Sequence, residues 1–217
     1  MDIVYLGHSS FRLTGKSAKL VTDPFDPKMV GLKFPKVQAT IATISHDHED
    51  HNRADLVDGV KKVIAGPGEY EIEGVSVIGL SSHHDQEKGA KRGKNTIYVI
   101  EMDGVRLVHL GDLGHKLKEK DIDKIGDIDA LMVPVGGVFT IGPQEAADVV
   151  HAIEPNVIIP MHYKQAGLNP KTFADLQTAE PFITALGVKV DNSPKFVLKA
   201  DGFINGDQII WQAPLFK

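Results

Sequence analysis

The chain has no cysteine, which removes disulfide staples, thiolate metal sites and a cysteine nucleophile together. It also lacks any apolar run near the roughly 20 residues that a membrane-crossing helix needs. Its first residues, Met1-Asp2-Ile3-Val4-Tyr5-Leu6, carry neither the basic flank nor the apolar stretch of a secretory signal. These absences lead us to expect a cytoplasmic protein without membrane contact. Excess positive charge is missing too: the net charge is −5 at pH 7, so the basic footprint of a nucleic-acid binder is not there. No low-complexity segment, short repeat or linker rich in Pro, Gly or Ser interrupts the chain, and 217 residues are expected to form a single domain, 1–217. What is present in excess is histidine, ten of them, several in tight clusters.

The first third reads as short strands. Ile3–Leu6, Phe11–Thr14 and Lys19–Thr22 are β-branched or aromatic runs punctuated by Gly7, Gly15 and Asp23-Pro24. Ala39–Ile44 reads as another strand. Lys62–Ala65, Glu69–Ile72 and Val75–Leu80 follow, the last two joined as a hairpin across Glu73-Gly74. Thr96–Met102 and Val105–Leu110 flank Asp103-Gly104, a strong signal for a hairpin turn. Beyond Asp112, apolar strands at Ala130–Val135 and Val157–Pro160 alternate with helical patterns at Pro143–Ile153 and Pro170–Leu186, the latter interrupted by Pro181. Lys195–Ala200 and Gln208–Gln212 close the chain as strands. Many strands and few helices, not in strict βαβ order, favour layered sheets covered by helices.

The chemistry concentrates in Ser45-His46-Asp47-His48-Glu49-Asp50-His51, directly after a predicted strand. Imidazole nitrogen and carboxylate oxygen suit zinc, manganese or iron, and the missing thiols disfavour a closed structural zinc site. A solvated acidic loop with incidental histidines is the bland alternative, and it does not account for this density of ligands. Three further strands end in residues of the same type. Val75–Leu80 runs into Ser81-Ser82-His83-His84-Asp85, Val105–Leu110 into Gly111-Asp112, and Val157–Pro160 into Met161-His162-Tyr163.

This set, in this order, resembles the His-x-His-x-Asp-His signature and later ligands of the metallo-β-lactamase superfamily. Gly7-His8-Ser9-Ser10-Phe11, Thr22-Asp23-Pro24, Arg92-Gly93-Lys94-Asn95-Thr96 and His109-Leu110-Gly111-Asp112-Leu113-Gly114-His115 resemble the branch that contains ascorbate-6-phosphate lactonase. The resemblance implies an α/β (α+β) fold, the four-layer αββα sandwich, with its site at one edge of the two sheets. It implies His46, His48 and His84 on a first divalent metal, Asp50, His51 and His162 on a second, and Asp112 bridging. Zinc is the first expectation, with manganese or iron as alternatives, and Asp50 and Asp112 are the expected catalytic carboxylates around a bridging hydroxide. Two divalent ions against two carboxylates and a hydroxide leave about one positive charge uncompensated, which attracts an anionic substrate.

Several assignments stay open at this stage. The pattern and the alternation of strand side chains put the ligand at His84, with Asp85 orienting it and His83 turned away as a surface or substrate residue. His8 and Asp23 would orient ligands through imidazole N–H bonds, although Asp23-Pro24 also reads as an ordinary turn starter. His115 is either a general acid or a helix-start cap. His109 and His151 read as structural or exposed. The basic stretch Lys88–Lys94 is a solvated loop or a steering patch for a phosphorylated ligand. Gly136-Gly137 before Phe139 marks a close backbone approach or a plain turn.

The leading expectation is a hydrolase of a small anionic ester, lactone or phosphodiester. A nuclease or cyclic-nucleotide phosphodiesterase on the same core is the alternative within enzymes, and the negative net charge weighs against long polyanions. A non-catalytic metal-binding protein is the alternative outside them, and a diiron redox role would call for a carboxylate in place of His84. No inserted arm or cap is visible. The apolar tail Ile209-Ile210-Trp211 with Leu215-Phe216 either completes the core or buries against a second subunit in a homo-oligomer.

Overall fold

Two large sheets carry the chain in a computed structural model that describes residues 1–200, 202 and 208–214. The first has six strands in the order Phe196–Val197, Asp2–Gly7, Ser10–Thr14, Lys19–Thr22, Ile41–Ile44 and Lys62–Ala65. The second has eight, in the order Lys189–Asp191, Ile209–Trp211, Val157–Met161, Ala130–Pro134, Val105–His109, Lys94–Met102, Val75–His83 and Gly68–Ile72. Both predicted hairpins are present, with Ile72 paired to Val75 and Met102 to Val105. Asp103 and Gly104 both have positive φ, 56° and 76°, as a two-residue hairpin turn requires to match the twist of its strands.

The inner faces of the two sheets meet. Ile3, Phe11, Leu13, Leu20 and Ile41 from one sheet share a buried cluster with Val77, Tyr98, Ile100, Met132, Ile159 and Trp211 from the other. The outer face of the second sheet buries Val99, Val108, Leu131 and Ile158 under the helices Pro143–Ile153 and Glu180–Leu186. Ala130–Pro134 and Val157–Met161 are therefore buried on both faces, which explains why they read as unbroken apolar runs rather than alternating ones. Over the first sheet the cover is thinner. The helix Pro27–Val30, a single 3-10 turn at Ala54–Leu56 and the strand pair Val37–Gln38 with Val57–Asp58 lie outside it. The layering is the αββα arrangement, with its helical weight on one side.

Helix Pro143–Ile153 has the expected bounds. The helix expected over Pro170–Leu186 is two shorter ones, Pro170–Phe173 and Glu180–Leu186. Pro181 does not interrupt the second but sits in its first turn, where a missing N–H costs nothing and the fixed φ suits a helix start. The helix Glu119–Ile125 and the strand Lys189–Asp191 were not legible in the pattern. Ile210 and Trp211 are fully buried in the core, which settles that part of the tail, while Leu215 and Phe216 lie outside the described residues. Among the described residues no helix is long and apolar enough to cross a membrane.

Strand direction positions the site. In the first sheet Asp2–Gly7 and Lys19–Thr22 are each antiparallel to Ser10–Thr14, and Ile41–Ile44 is parallel to Lys19–Thr22. All three thus end at one edge, just before His8, Asp23 and the 45–51 loop. In the second, Val75–His83 and Val105–His109 both run against Lys94–Met102, and Val105–His109, Ala130–Pro134 and Val157–Met161 are parallel. Their ends deliver His84, Asp112 and His162 together.

Candidate metal centre

At this shared edge the side chains form two groups, which a third set, Asp23, His46 and His51, links. His46, His48 and His84 offer nitrogen atoms within 4.8 Å of one another, and His8, Asp50, His51 and His162 do the same with nitrogen and carboxylate oxygen. Asp112 lies between the groups and touches both. Its Oδ2 is 3.2 Å from His84 Nε2, 3.3 Å from His162 Nε2 and 3.9 Å from His46 Nε2, and its Oδ1 is 3.4 Å from His51 Nε2. Six of the seven expected ligands are buried, and only His48 is exposed, at the mouth.

A second ring of hydrogen bonds decides which nitrogen each histidine turns inward. Asp23, fully buried, accepts from His51 Nδ1 at 2.8 Å, from Ser45 N at 2.8 Å and from Ser45 Oγ at 2.6 Å. A carboxylate only accepts, so His51 carries a proton on Nδ1 and turns Nε2 to the centre, where, against the effect of burial, Asp112 and Asp50 raise its pKa well above the usual histidine value. Ser45 Oγ spends its hydrogen on Asp23 and therefore accepts from His46 Nδ1 at 2.9 Å, which turns His46 Nε2 inward in the same way. His8 Nε2 donates to Asp50 Oδ2 at 3.2 Å. The Asn95 side chain ties Ser82 and Leu110 and accepts from Asp112 N at 3.0 Å. Ser45 and Asn95 were not singled out from the sequence. Ser45 stood inside the motif, whereas Asn95 has no signal beyond its place in the Arg92–Thr96 segment.

Holding these groups strains the backbone. His8, Asp23 and His162 all sit at positive φ, 55°, 38° and 50°, a conformation that costs side-chain-bearing residues about 1–3 kcal/mol each. The His8 carbonyl accepts from His162 N at 3.1 Å and from Tyr5 Oη at 3.0 Å, joining the loops of the two sheets at that point. At Gly136 a Cβ would lie 2.2 Å from the His162 carbonyl oxygen, so the expected close approach is real and is made to the backbone of a candidate ligand. Gly136→Ala is expected to cost about 1–3 kcal/mol in chemical denaturation, with a fall in metal affinity because His162 must move.

The donor set fits a cation. Burial raises the pKa of Asp112 and Asp50, yet surrounding histidines, His162 and His51 for the first and His51 and His8 for the second, hold both carboxyls well below the usual range. Burial opposes ionisation of Asp23 as well, and His109 and His51 still keep it low. Among the described residues no Lys or Arg pairs with any of the three. Burial, aided by the neighbouring His51, pushes His46 down to about 3, and burial with His162 pushes His8 to about 4, so both are neutral imidazoles at physiological pH. His46 Nε2, His51 Nε2, His162 Nε2 and Asp112 Oδ1 are buried with no hydrogen-bond partner. Buried polar atoms left unsatisfied are costly, and imidazole nitrogens converging on buried carboxylates are a donor set that a divalent metal would satisfy. Asp23→Asn is expected to weaken metal binding about 10–100-fold while the fold persists, as measured by competition with a chromophoric chelator.

Two other expectations come out differently. His115 does not face the centre. Its Nε2 accepts from His83 N at 3.3 Å and its Nδ1 donates to Lys116 O at 2.8 Å. It lines a separate surface cavity with Ser81, His83, Lys88 and Lys118, because the chain turns away after Gly114, so it does not serve as general acid here. Asp85 is not spent on orienting His84: its carboxylate accepts backbone N–H from Glu87, Gly89, Lys91 and Arg92 at 2.7–2.9 Å, and so organises the following loop. Asp23 is no ordinary turn starter, given its buried contacts. His83 is half-buried at the end of its strand beside His115, with ring centroids 5.6 Å apart, while His84 is buried against Asp112. His109 is structural, its Nε2 donating to Ser9 O at 2.9 Å, and His151 is exposed.

Known proteins resemble this chain in sequence and fold. Residues 2–162 match the family profile described as a beta-lactamase superfamily domain. A protein named metal-dependent hydrolase from Thermococcus onnurineus is 31% identical over 192 residues, covering 75% of this chain and 84% of its own length. Another of that name from Pyrobaculum neutrophilum is 30% identical over 195 residues with the same shares. A solved structure from Thermotoga maritima, assigned as a zinc-dependent hydrolase of the metallo-β-lactamase superfamily, superposes with a TM-score of 0.80 at 34% identity, covering 98% of each chain. A metallo hydrolase from Ignicoccus hospitalis shares the fold at a TM-score of 0.62 and 20% identity, covering 91% of this chain and 99% of its own. On this likeness, which extends over the strands that deliver every group at the shared edge, the chain belongs to the metallo-β-lactamase superfamily of metal-dependent hydrolases.

Proposed function

We propose that the protein hydrolyses a small anionic ester, lactone or phosphodiester at a dinuclear centre, with His46, His48 and His84 holding one metal, Asp50, His51 and His162 the other, and Asp112 shared. The observation that carries this reading is Asp112, buried between two separate ligand groups within 3.2–3.9 Å of four imidazoles. Bound there, two divalent ions supply a Lewis acid for the scissile oxygen and a water that ionises near pH 7. The chain's own residues do the rest. Asp23, Ser45 and His8 fix the direction of His51, His46 and Asp50, so little reorganisation is needed when charge develops. The ligands open into a cavity of about 450 Å³ that is also lined by Met29, Phe139 and Phe173. This volume accommodates a small substrate, and the apolar walls limit water around the reacting bond.

Elemental analysis of protein purified without chelators is expected to find close to two transition-metal ions per chain, zinc first. Turnover should appear on a panel of lactones, phosphodiesters and phosphomonoesters run with zinc, manganese and iron forms. A metal content of zero with no uptake on reconstitution would sink the proposal. Two metals with no turnover on any of the three classes would leave the centre and remove the substrate reading.

A further inference from the structure

We infer that Arg92 selects the substrate, its guanidinium binding a carboxylate or phosphate group while the apolar remainder rests on Phe139, Phe173 and Met29. The word substrate here rests on the hydrolase reading above; the anion site itself does not.

The guanidinium carbon of Arg92 lies 5.2 Å from the centre of the Phe139 ring, and the residue is half-buried. A guanidinium held over an aromatic ring by cation–π attraction keeps N–H donors that the ring does not use. Among the described residues no carboxylate takes them. Lys91 is paired with Glu87, Arg53 with Asp26 and Asp55, and Arg106 with Glu101, whereas Arg92, like Arg12, has no such partner, and of these two only Arg92 borders the cavity of the candidate metal donors. A fork of donors with an unfilled edge, beside an opening lined by metal-ligand candidates, is complementary to a planar or tetrahedral oxyanion.

Both supports of Arg92 are built rather than incidental. Its backbone is held by Asp85, whose carboxylate accepts Arg92 N at 2.7 Å and three other N–H groups of the same loop. Its platform, Phe139, follows Val138, a β-branched residue at φ 63°, and Phe139 N bonds back to Gly137 O at 2.7 Å. A tight three-residue turn of positive φ centred on valine is rare and strained, and strain of this kind persists where the surrounding structure needs the geometry. Here the turn presents Phe139 to the cavity and to Arg92.

Position completes the case. Arg92 borders the cavity that holds His84, Asp112 and His162, and also an adjoining one of about 660 Å³ lined by His46, His48, Lys94 and Thr96. The guanidinium thus stands at the junction, with the buried Phe173 and the half-buried Met29 on the wall of the first cavity. An anionic group placed at that junction leaves an attached apolar portion against the aromatic wall.

The test uses metal-reconstituted full-length protein and the variants Arg92→Ala, Arg92→Lys and Phe139→Leu, each checked for unchanged metal content and thermal midpoint. Calorimetry with inorganic phosphate and with glutarate separates the two oxyanion sources. Arg92→Ala is expected to weaken binding of at least one of them by about 10-fold or more, the scale of a charge-assisted hydrogen-bond pair. Arg92→Lys should restore only part of this, because a point charge lacks the fork, and Phe139→Leu should fall between. In parallel, two p-nitrophenyl esters differing only in a terminal carboxylate give a ratio of kcat/KM, which should drop about 10-fold in Arg92→Ala through KM. Anion binding and ester ratio both unchanged in Arg92→Ala would overturn the inference, as would a wild-type protein that binds neither anion. If no ester is turned over but Arg92→Ala still loses phosphate or glutarate, the hydrolase reading fails and the anion site stands.

Discussion

Asp112→Asn is expected to lower metal content from about two ions per chain to one or fewer and to reduce turnover by about three orders of magnitude. The side chain is 2% exposed, and its two oxygens face imidazoles of both candidate groups. An amide of the same size keeps one oxygen but loses the negative charge that the proposed centre places between two dications. A single unit-charge interaction at about 4 Å is worth roughly 4 kcal/mol at an effective dielectric of 20, which corresponds to about a thousandfold in rate or affinity. The fold should survive, since the inter-sheet core around Tyr98, Ile100 and Trp211 is apolar and does not pass through the centre. The check is paired: metal stoichiometry by mass spectrometry, and cooperative thermal unfolding of the same sample. A variant with two metals and full turnover would show that Asp112 is not shared between them.

His84→Ala and His83→Ala should separate by a similar margin. His84 is buried, and its Nε2 is 3.2 Å from Asp112 Oδ2. Truncation removes one of only three nitrogens in its group, so metal occupancy and hydrolysis should both fall by about two orders of magnitude or more. His83 lies on the other side of the strand end, its ring tilted against that of His115 and lining the cavity of Lys88 and Lys118. Its loss should leave metal content intact and change kcat/KM by no more than about threefold, the scale of a surface substitution. Reversed phenotypes would mean that the loop presents the neighbouring residue to the metal.

The candidate metal donors were legible because they are local. His46, His48, Asp50 and His51 fall within one loop after one strand, and His84, Asp112 and His162 each stand directly beyond a strand whose apolar or alternating pattern is visible in the chain. Strand ends and turn residues are short-range signals, and Asp103-Gly104 or the apolar run Val157–Met161 needs no knowledge of distant neighbours. The missed elements lack such signals. Lys189–Asp191 pairs with Ile209–Trp211 across a long connection, and Glu119–Ile125 buries only Ile125, so it carries too weak a stripe to be read.

Roles, as distinct from residue types, were decided by the tertiary structure. His115 belongs to the same short segment as Asp112, yet the chain turns and gives both its ring nitrogens to backbone groups. Asp85 adjoins His84 but serves the loop that holds Arg92. Arg92 and Phe139 stand 47 positions apart in the sequence, and only folding stacks one on the other. Ser45 and Asn95 acquire their roles from partners on other strands, Asp23 and Asp112. The sequence alone thus determined which donors exist and at which strand ends they emerge, because backbone pattern and ligand chemistry are local properties. Which nitrogen faces inward, which carboxylate is spent on the backbone and which cation is left unpaired depend on distances between remote segments, and those exist only once the two sheets have packed.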